Sequence, residues 1–308
     1  MGFISKQYIK RFVSRYDKEV GIPYYSYTDF VDLKQEAFSF TNSKGIKISY
    51  FYYYYPNYNK DKIILFLPGI GPGHTAYLKE IEEICKRGFK VLSLDYTGTD
   101  KSEGKYLGSL NTPTEDVNEL LDYLTLDKEV IVIGHSLGGY TSLNLLNLRN
   151  DINKGVIMAG FLSVDSLINS LVKSKFISKQ ILKYERKKYP NYYDLDNVSF
   201  LKESKKKILF IHSLDDQMVP YKSSLEVVEK LNNENLITVT VDQRGHNPNY
   251  SEKASKYLQE VFGKYNELIK EKKIKTDKDK INYFKDVSLA DLVEQDQKII
   301  EEIINFIK

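Results

Sequence analysis

The chain has 308 residues, of which 42% are hydrophobic and 28% are charged, as is ordinary for a globular protein. The length allows two average domains or one large α/β domain with a substantial core. The net charge of +3 combines 45 basic with 42 acidic residues, so charge gives no reason to expect a nucleic-acid partner. The single cysteine, Cys85, excludes a disulfide within the chain. Because that fits a reducing compartment, we expect a cytoplasmic protein.

Residues 1–30 are predicted to form an amphipathic helix and a linker, followed by the main domain, residues 31–308. The helix is indicated by apolar side chains at helical spacing, interrupted by basic ones: Ile4, Tyr8, Ile9, Phe12, Val13 and Tyr16. The segment lacks the pattern of a signal peptide, and no apolar run approaches the ~20 residues that span a bilayer. Such a helix can lie weakly on an anionic membrane surface. We favour the simpler interpretation that it docks on its own domain.

The next two segments, Glu36–Thr41 and Ile46–Tyr54, are predicted to form a β-hairpin at a sheet edge. After them, short β-rich apolar runs alternate with amphipathic helices. The runs are Ile63–Leu67, Val91–Leu94, Val130–Ile133, Val156–Met158, Ile208–Ile211 and Leu236–Val241. Continuous runs bounded by polar turns are typical of parallel strands buried on both faces. The alternation therefore predicts an α/β fold with a doubly wound, mostly parallel sheet.

Two stretches interrupt this alternation. Phe161–Ser204 separates two strands by more than a usual connection and carries an apolar stripe, so we predict a helical lid insertion over about 161–204. Tyr257–Lys285 is rich in lysine but also contains interspersed acidic residues, which favours a solvated helix or loop over a nucleic-acid-binding tail. Near helix starts, Thr112 is predicted to begin a capping box and Ser288 to cap the last helix.

The most informative stretch is Ile131–Gly139, which reads I-V-I-G-H-S-L-G-G. A G-x-S-x-G motif between a strand and a helix is the nucleophile elbow. The turn is so tight that Gly134 and Gly138 must lack side chains, and the strained Ser136 exposes its hydroxyl. The amide of Leu137 then lies at a helix N-terminus, where it can stabilise a developing oxyanion.

A serine hydroxyl becomes a good nucleophile only when a base takes its proton, and that base is normally histidine. The chain has four histidines. His135 precedes the serine, and we expect its side chain to point elsewhere. His246 lies in the loop after the last strand. Because loops at the carboxyl ends of strands converge on one crevice, where the elbow also opens, His246 is the predicted base.

An acidic residue is needed to orient the histidine. Asp215 and Asp216 follow the strand Ile208–Ile211 and give the chain order Ser, Asp, His that this architecture uses. Both remain candidates at this point, and Asp165 is a third that could instead begin the lid helix.

A second oxyanion donor is expected from the glycine-rich loop Pro68–Gly73, and the Ile70 amide is the candidate. This loop lacks the lysine and Ser/Thr of a phosphate-binding P-loop, so we reject that interpretation. No cluster of cysteine, histidine and aspartate has metal-ligand spacing, and no metal or cofactor is expected.

These motifs together resemble the α/β-hydrolase family, in particular its lysophospholipase-like and serine-aminopeptidase-like bacterial members. The resemblance covers roughly Ile46–Asn249 and the final helix. Besides the elbow, the run Asp95–Ser102 resembles the family turn D-x-R-G-x-G-x-S, with Thr97 in place of arginine and Asp100 in place of a glycine. The resemblance implies a structural role for the first aspartate of that run.

Two further motifs bear on the site. Leu67-Pro68-Gly69 stands where the family often has His-Gly, but the oxyanion hole uses backbone amides, so this departure leaves the chemistry intact. His212–Asp216 resembles the family motif H-G-x-x-D, with Ser213 in place of glycine, and this alignment selects Asp216 as the acid.

The expected activity is that of a serine hydrolase acting through an acyl-enzyme on a carboxylic ester, or else on a thioester or small amide. Its catalytic residues would be Ser136, Asp216 and His246, and its oxyanion hole the Ile70 and Leu137 amides. The apolar stripe of the lid favours a small-molecule substrate with an acyl or aromatic group. The alternatives are acyl transfer by the same residues and a binding protein that keeps the fold without turnover.

Overall fold

The computed structural model describes residues 2–308 and contains one eight-stranded sheet with helices on both faces. The strands are β1 (Lys34–Thr41), β2 (Lys47–Tyr54), β3 (Lys62–Leu67), β4 (Lys90–Leu94), β5 (Glu129–His135), β6 (Lys154–Met158), β7 (Lys207–Ser213) and β8 (Leu236–Val241). The helices are α1 (Phe3–Phe12), α2 (Leu78–Lys86), α3 (Thr112–Leu124), α4 (Leu137–Leu148), α5 (Val164–Leu171), α6 (Lys175–Lys188), α7 (Pro190–Tyr193), α8 (Asn197–Glu203), α9 (Leu225–Glu229), α10 (Glu252–Lys270), α11 (Asp277–Phe284), α12 (Leu289–Leu292) and α13 (Gln297–Ile307).

The strand order is β1-β2-β4-β3-β5-β6-β7-β8, with the hairpin β1–β2 antiparallel at one edge and β3 to β8 parallel. From β3 the chain first adds β4 on one side and then adds β5 on the other, so the direction in which strands are added reverses between β3 and β5. In open α/β sheets the crevice outside the strand ends at such a reversal is where ligands bind. The predicted fold class, a doubly wound and mostly parallel α/β sheet, is confirmed.

The core lies on both faces of this sheet because successive side chains of a strand point to opposite sides. In β5, Val130 and Val132 join the cluster covered by α3, α4 and α5, whereas Ile131 and Ile133 join the one covered by α2 and α13. All four are buried, which explains why the strand reads as a continuous apolar run.

The N-terminal helix α1 packs against α6. Tyr8 and Ile9 are buried, and the Tyr8 hydroxyl donates a buried hydrogen bond of 2.7 Å to Glu185 Oε1. The apolar stripe of α1 is therefore docked on the rest of the chain. The domain division at residue 30 stays a prediction.

The long connection between β6 and β7 contains the four helices α5 to α8. The predicted insertion is thus helical, while its role as a lid stays a prediction. The segment Tyr257–Lys285 contains most of α10 and the whole of α11. It was predicted to be a solvated helix or loop, but it also has a packed apolar side. Its apolar side chains pack in a small cluster of their own with residues of the C-terminal region: Val261, Tyr265, Ile274, Phe284 and Leu292.

Two predicted helix caps are wrong. Asn111, not Thr112, precedes α3, and Thr112 already lies in the first turn, where its hydroxyl donates to the Leu107 carbonyl over 2.7 Å. Ser288 caps only the four-residue α12, and Asp296 caps the last helix, α13. Within residues 2–308 no helix is long and apolar enough to cross a bilayer.

Candidate active site

Ser136 stands at the sharp turn between β5 and α4, with φ of 55° and ψ of −116°. A non-glycine residue with positive φ costs about 1–3 kcal/mol and persists only where its surroundings hold it. Here the Ser136 amide donates to the Met158 carbonyl over 2.9 Å, and its carbonyl accepts from the Tyr140 amide over 3.0 Å. The strained elbow expected from the sequence is present.

The glycines of the motif are required by steric contacts at this turn. A Cβ at Gly134 would overlap the Gly138 carbonyl, and a Cβ at Gly138 would overlap the Leu67 carbonyl at the end of β3. A Cβ at Gly69 would lie 3.2 Å from Ser136 Cβ. The glycine-rich loop after β3 therefore approaches the serine closely.

His246 and Asp216 meet at the carboxyl ends of β7 and β8. His246 Nδ1 lies 2.8 Å from Asp216 Oδ2, and the Asp216 side chain is fully buried. Its other oxygen accepts hydrogen bonds from the amides of Met218 (2.8 Å) and Val219 (3.0 Å). The carboxylate is thus held in place while one oxygen faces the imidazole.

The other two candidate acids lie elsewhere. Asp215 accepts hydrogen bonds from the Gly245 amide (3.0 Å) and the Ser213 hydroxyl, so it stabilises the loops. Burial raises the pKa of Asp215 and these hydrogen bonds lower it, and the pKa is lowered on balance. Asp165 lies in the first turn of α5 and lines a different cavity.

A cavity of about 350 Å³ connects these groups and is lined by Ser136, His246, Ile70 and Leu137. Its walls are mainly apolar and come from α1 (Phe12), from α5 (Leu167 and Leu171) and from the loops after β6 and β7 (Phe161 and Val219). Ser136 and His246 face the same space without a hydrogen bond between their side chains, as is common in unliganded sites. No acidic side chain lines this cavity within residues 2–308.

The two predicted oxyanion donors belong to different segments of the chain that line the same cavity as the serine. Leu137 is the first residue of α4, and Ile70 is in the loop after β3. The neighbouring Gly69 amide is occupied, because it donates to the Tyr77 hydroxyl over 3.0 Å. Within the described chain the Ile70 amide has no protein acceptor, so it can donate to a ligand.

His135 was expected to point away from the site, and that expectation is wrong. Its ring lines the cavity, with Nδ1 2.9 Å from the Tyr77 hydroxyl and Nε2 2.7 Å from the His246 carbonyl. Burial, followed by the repulsion of His246, lowers the pKa of His135 to about 3, so this imidazole is neutral. Nε2–H therefore donates to the carbonyl and Nδ1 accepts from the tyrosine.

These contacts form a chain of hydrogen bonds, here called the bridge, that runs from the Gly69 amide through Tyr77 and His135 to the His246 carbonyl. The bridge was not predicted from the sequence. It connects the loop that carries Ile70 to the loop that carries the predicted base. The only sign of it in the sequence was the histidine within the elbow motif. The two residues that its ring contacts, Tyr77 and His246, are 58 and 111 positions away in the chain.

The remaining histidines support loops. His74 Nδ1 contacts the buried Asp95 Oδ1 over 2.8 Å, which ties the loop after β3 to the loop after β4. His212 Nε2 lies 2.8 Å from the Val219 carbonyl and stabilises the loop that holds Asp216. No group of metal-ligating side chains is found in the part of the chain described.

The fold and the serine elbow define an α/β-hydrolase of the serine hydrolase class. The chain belongs to the prolyl oligopeptidase family (Peptidase_S9), which it matches over residues 76–270. That range includes Ser136, Asp216 and His246. No curated protein sequence matches the chain significantly.

Among solved structures, an esterase from Pyrococcus furiosus is similar, with a TM-score of 0.58, 18% identity and coverage of 84% of this chain and 98% of that one. An esterase domain from a Rhodothermus marinus protein has a TM-score of 0.53 and 16% identity over 75% of this chain and 97% of that one. An acylaminoacyl peptidase from Pyrococcus horikoshii has a TM-score of 0.53 and 17% identity over 71% of this chain and 38% of that one. At these identities the likeness concerns the fold.

Proposed function

We propose that the protein is a serine esterase that hydrolyses small carboxylic esters with an acyl or aromatic group. The observation that carries this proposal is the 2.8 Å contact between His246 Nδ1 and the buried Asp216, beside the strained Ser136 in one apolar cavity. A nucleophile, a base and an acid that orients the base are what acyl transfer to water requires.

In the proposed reaction, Ser136 Oγ attacks the ester carbonyl and His246 Nε2 takes its proton. Asp216 holds the imidazole with its proton on Nδ1 and stabilises the imidazolium. The amides of Ile70 and Leu137 donate to the oxyanion. The leaving oxygen takes the proton from His246 and departs as the alcohol. His246 then takes a proton from the water that attacks the acyl-enzyme and returns it to Ser136 Oγ as the carboxylic acid leaves.

A peptide or amide substrate is the second candidate, and family membership is what favours it. The apolar cavity walls favour an ester with an acyl chain. The chain also spans nearly the whole of the esterase from Pyrococcus furiosus, compared with 38% of the acylaminoacyl peptidase.

Covalent labelling tests this proposal. A fluorophosphonate probe should modify Ser136, and Ser136→Ala should abolish both the labelling and the hydrolysis of p-nitrophenyl esters. Comparing p-nitrophenyl esters with aminoacyl p-nitroanilides decides between the two substrates. Labelling at another serine, or none in folded protein, contradicts the enzymatic proposal. Faster turnover of the anilides would favour the peptidase.

A further inference from the structure

The two helices that pack together on the outside of the molecule, α1 and α6, have strongly basic exposed faces. They carry nine basic side chains: Lys6, Lys10, Arg11, Lys175, Lys179, Lys183, Arg186, Lys187 and Lys188, all exposed. We call these faces together the α1–α6 surface. Of the nine, only Arg186 forms a salt bridge within residues 2–308, with Asp194.

No exposed acidic side chain balances this charge on either helix. The only acid in the two helices is Glu185, which is buried and hydrogen-bonded to Tyr8 and Ser109. Because the whole chain has a net charge of only +3, the rest of the molecule is net negative. The excess of positive charge therefore lies on α1 and α6.

The basic side chains of α6 line two open cavities beside the neighbouring helices. One cavity, of about 470 Å³, lies between the start of α1 (Gly2 and Ser5) and α6. Another, of about 600 Å³, lies between α5 and α6. Lys183 and Lys187 line both cavities, so they stand on the ridge of α6 that separates them.

Large apolar side chains project from the same helices. Phe3 is 75% exposed and Phe176 is 66% exposed. Phe176 precedes Lys183 by seven residues and Lys187 by eleven, a spacing that places the three on one helical face. Exposed aromatic residues beside lysines are typical of helices that lie in a membrane interface.

This surface adjoins the catalytic cavity. Arg11 and Phe12 of α1 line that cavity, as does Leu171, which precedes α6 and is 37% exposed. A membrane bound at the α1–α6 surface would thus lie next to the apolar walls that receive the acyl chain.

We propose that the α1–α6 surface docks the protein on an anionic phospholipid membrane, so that acyl esters reach the cavity from the lipid phase. The lysines bind the phosphates, and Phe3 and Phe176 insert at the level of the head groups. The delivery of acyl esters rests on the proposed function, whereas the docking itself does not. The projecting phenylalanines and the adjoining apolar cavity favour a membrane over nucleic acid, which would be bound mainly through its phosphates.

Vesicle sedimentation tests the docking without using catalysis. The protein should bind vesicles of phosphatidylglycerol and phosphatidylcholine, bind pure phosphatidylcholine much less, and dissociate as salt is added. The variant K179Q/K183Q/K187Q should lower partitioning on the order of a hundredfold, since each basic residue contributes roughly a factor of five. Phe3→Ser with Phe176→Ser should weaken the binding that remains at high salt.

The matched control is K256Q/K264Q/K270Q, which removes the same charge from exposed positions of α10. It should keep most of the vesicle binding, and both triple variants should hydrolyse a soluble p-nitrophenyl ester at the wild-type rate. Equal losses in the two variants, or equal binding to neutral vesicles, would overturn the proposal. Binding to duplex DNA without binding to vesicles would assign the surface to nucleic acid. A wild-type protein that hydrolyses the soluble ester but does not bind anionic vesicles refutes only the docking, whereas activity in Ser136→Ala refutes only the proposed function.

Discussion

Asp215 and Asp216 are neighbours in the chain, yet their carboxylates face different parts of the site. The two residues lie in a turn that the Asp216 amide closes by donating to the Ser213 carbonyl over 3.3 Å, and not in the extended segment that alternation of side chains would require. Asp216 turns inward to His246 and to two backbone amides, whereas Asp215 turns to Gly245 and Ser213. The family motif selected Asp216, and the contacts support that choice.

Replacing each aspartate with asparagine should separate their roles. Asp216→Asn keeps the shape but favours the wrong imidazole tautomer, and in serine proteases with a Ser-His-Asp triad such a change lowers kcat on the order of 10⁴-fold. We expect a similar loss here in steady-state ester hydrolysis, and only a mild effect from Asp215→Asn. Circular dichroism should show both variants folded. The opposite ranking of kcat would assign the acid to Asp215.

Among the helices and loops, the cavity is built by segments that are far apart in the chain. α1 supplies Phe12, and α5 supplies Leu167 and Leu171, at positions that face the elbow. Leu167 is almost fully buried in the core, while Leu171 is partly exposed at the cavity. Leu171 can therefore be changed with less loss of packing than Leu167.

Leu171→Ala should enlarge the cavity and move the preference toward longer acyl chains. The value of kcat/KM for long esters should rise relative to short ones by about fourfold for each methylene newly accommodated, since a buried CH₂ is worth about 0.8 kcal/mol. The measurement is a series of p-nitrophenyl esters of increasing length. Leu148→Ala, at the end of α4 with a similar exposure of 40%, is the control and should leave the profile unchanged. An unchanged profile in Leu171→Ala would argue that the insertion only packs on the domain.

Across the molecule as a whole, three buried carboxyl groups couple stability to pH. Burial is the main cause that raises the pKa of Glu80, of Asp116 and of Glu185 to about 7. They lie in separate places: Glu80 beside Asn249, Asp116 beside Thr97, and Glu185 beside Tyr8. Each binds its proton more tightly in the folded state than in the unfolded state.

The sign of the effect follows from this difference. The stability that such a group contributes is fully present below its ordinary pKa, 4.5 for a glutamate, and is lost as the pH rises through about 7. The melting temperature of the wild type should therefore fall over this interval.

Glu80→Gln imitates the protonated form and should make that fall less steep. Its Oε2 has no hydrogen-bond partner in the part of the chain described, so replacing this oxygen with an amide nitrogen breaks no hydrogen bond. Calorimetry at several pH values measures the slope, and Glu260→Gln, at an exposed position of α10, is the control. A Glu80→Gln slope equal to that of the wild type would show that this carboxyl is not titrating.

The strands, their parallel arrangement and the serine elbow could all be predicted from the sequence. These features depend on local causes, namely the period of apolar residues and the steric limits of a tight turn. Every predicted apolar run lies in a strand of the sheet, and Ser136 has the strained backbone that the motif requires.

The way in which distant segments complete the site could be learned only from the folded chain. The bridge from Tyr77 through His135 to His246, the place of α1 in the cavity wall and the meeting of α1 with α6 all join residues far apart in the chain. The wrong prediction of a capping box at Thr112 has a related cause. The Thr112 hydroxyl donates to the Leu107 carbonyl in the preceding loop and not to an acceptor within its own helix. Such contacts are set by packing of the whole chain, and no local pattern of side chains encodes them.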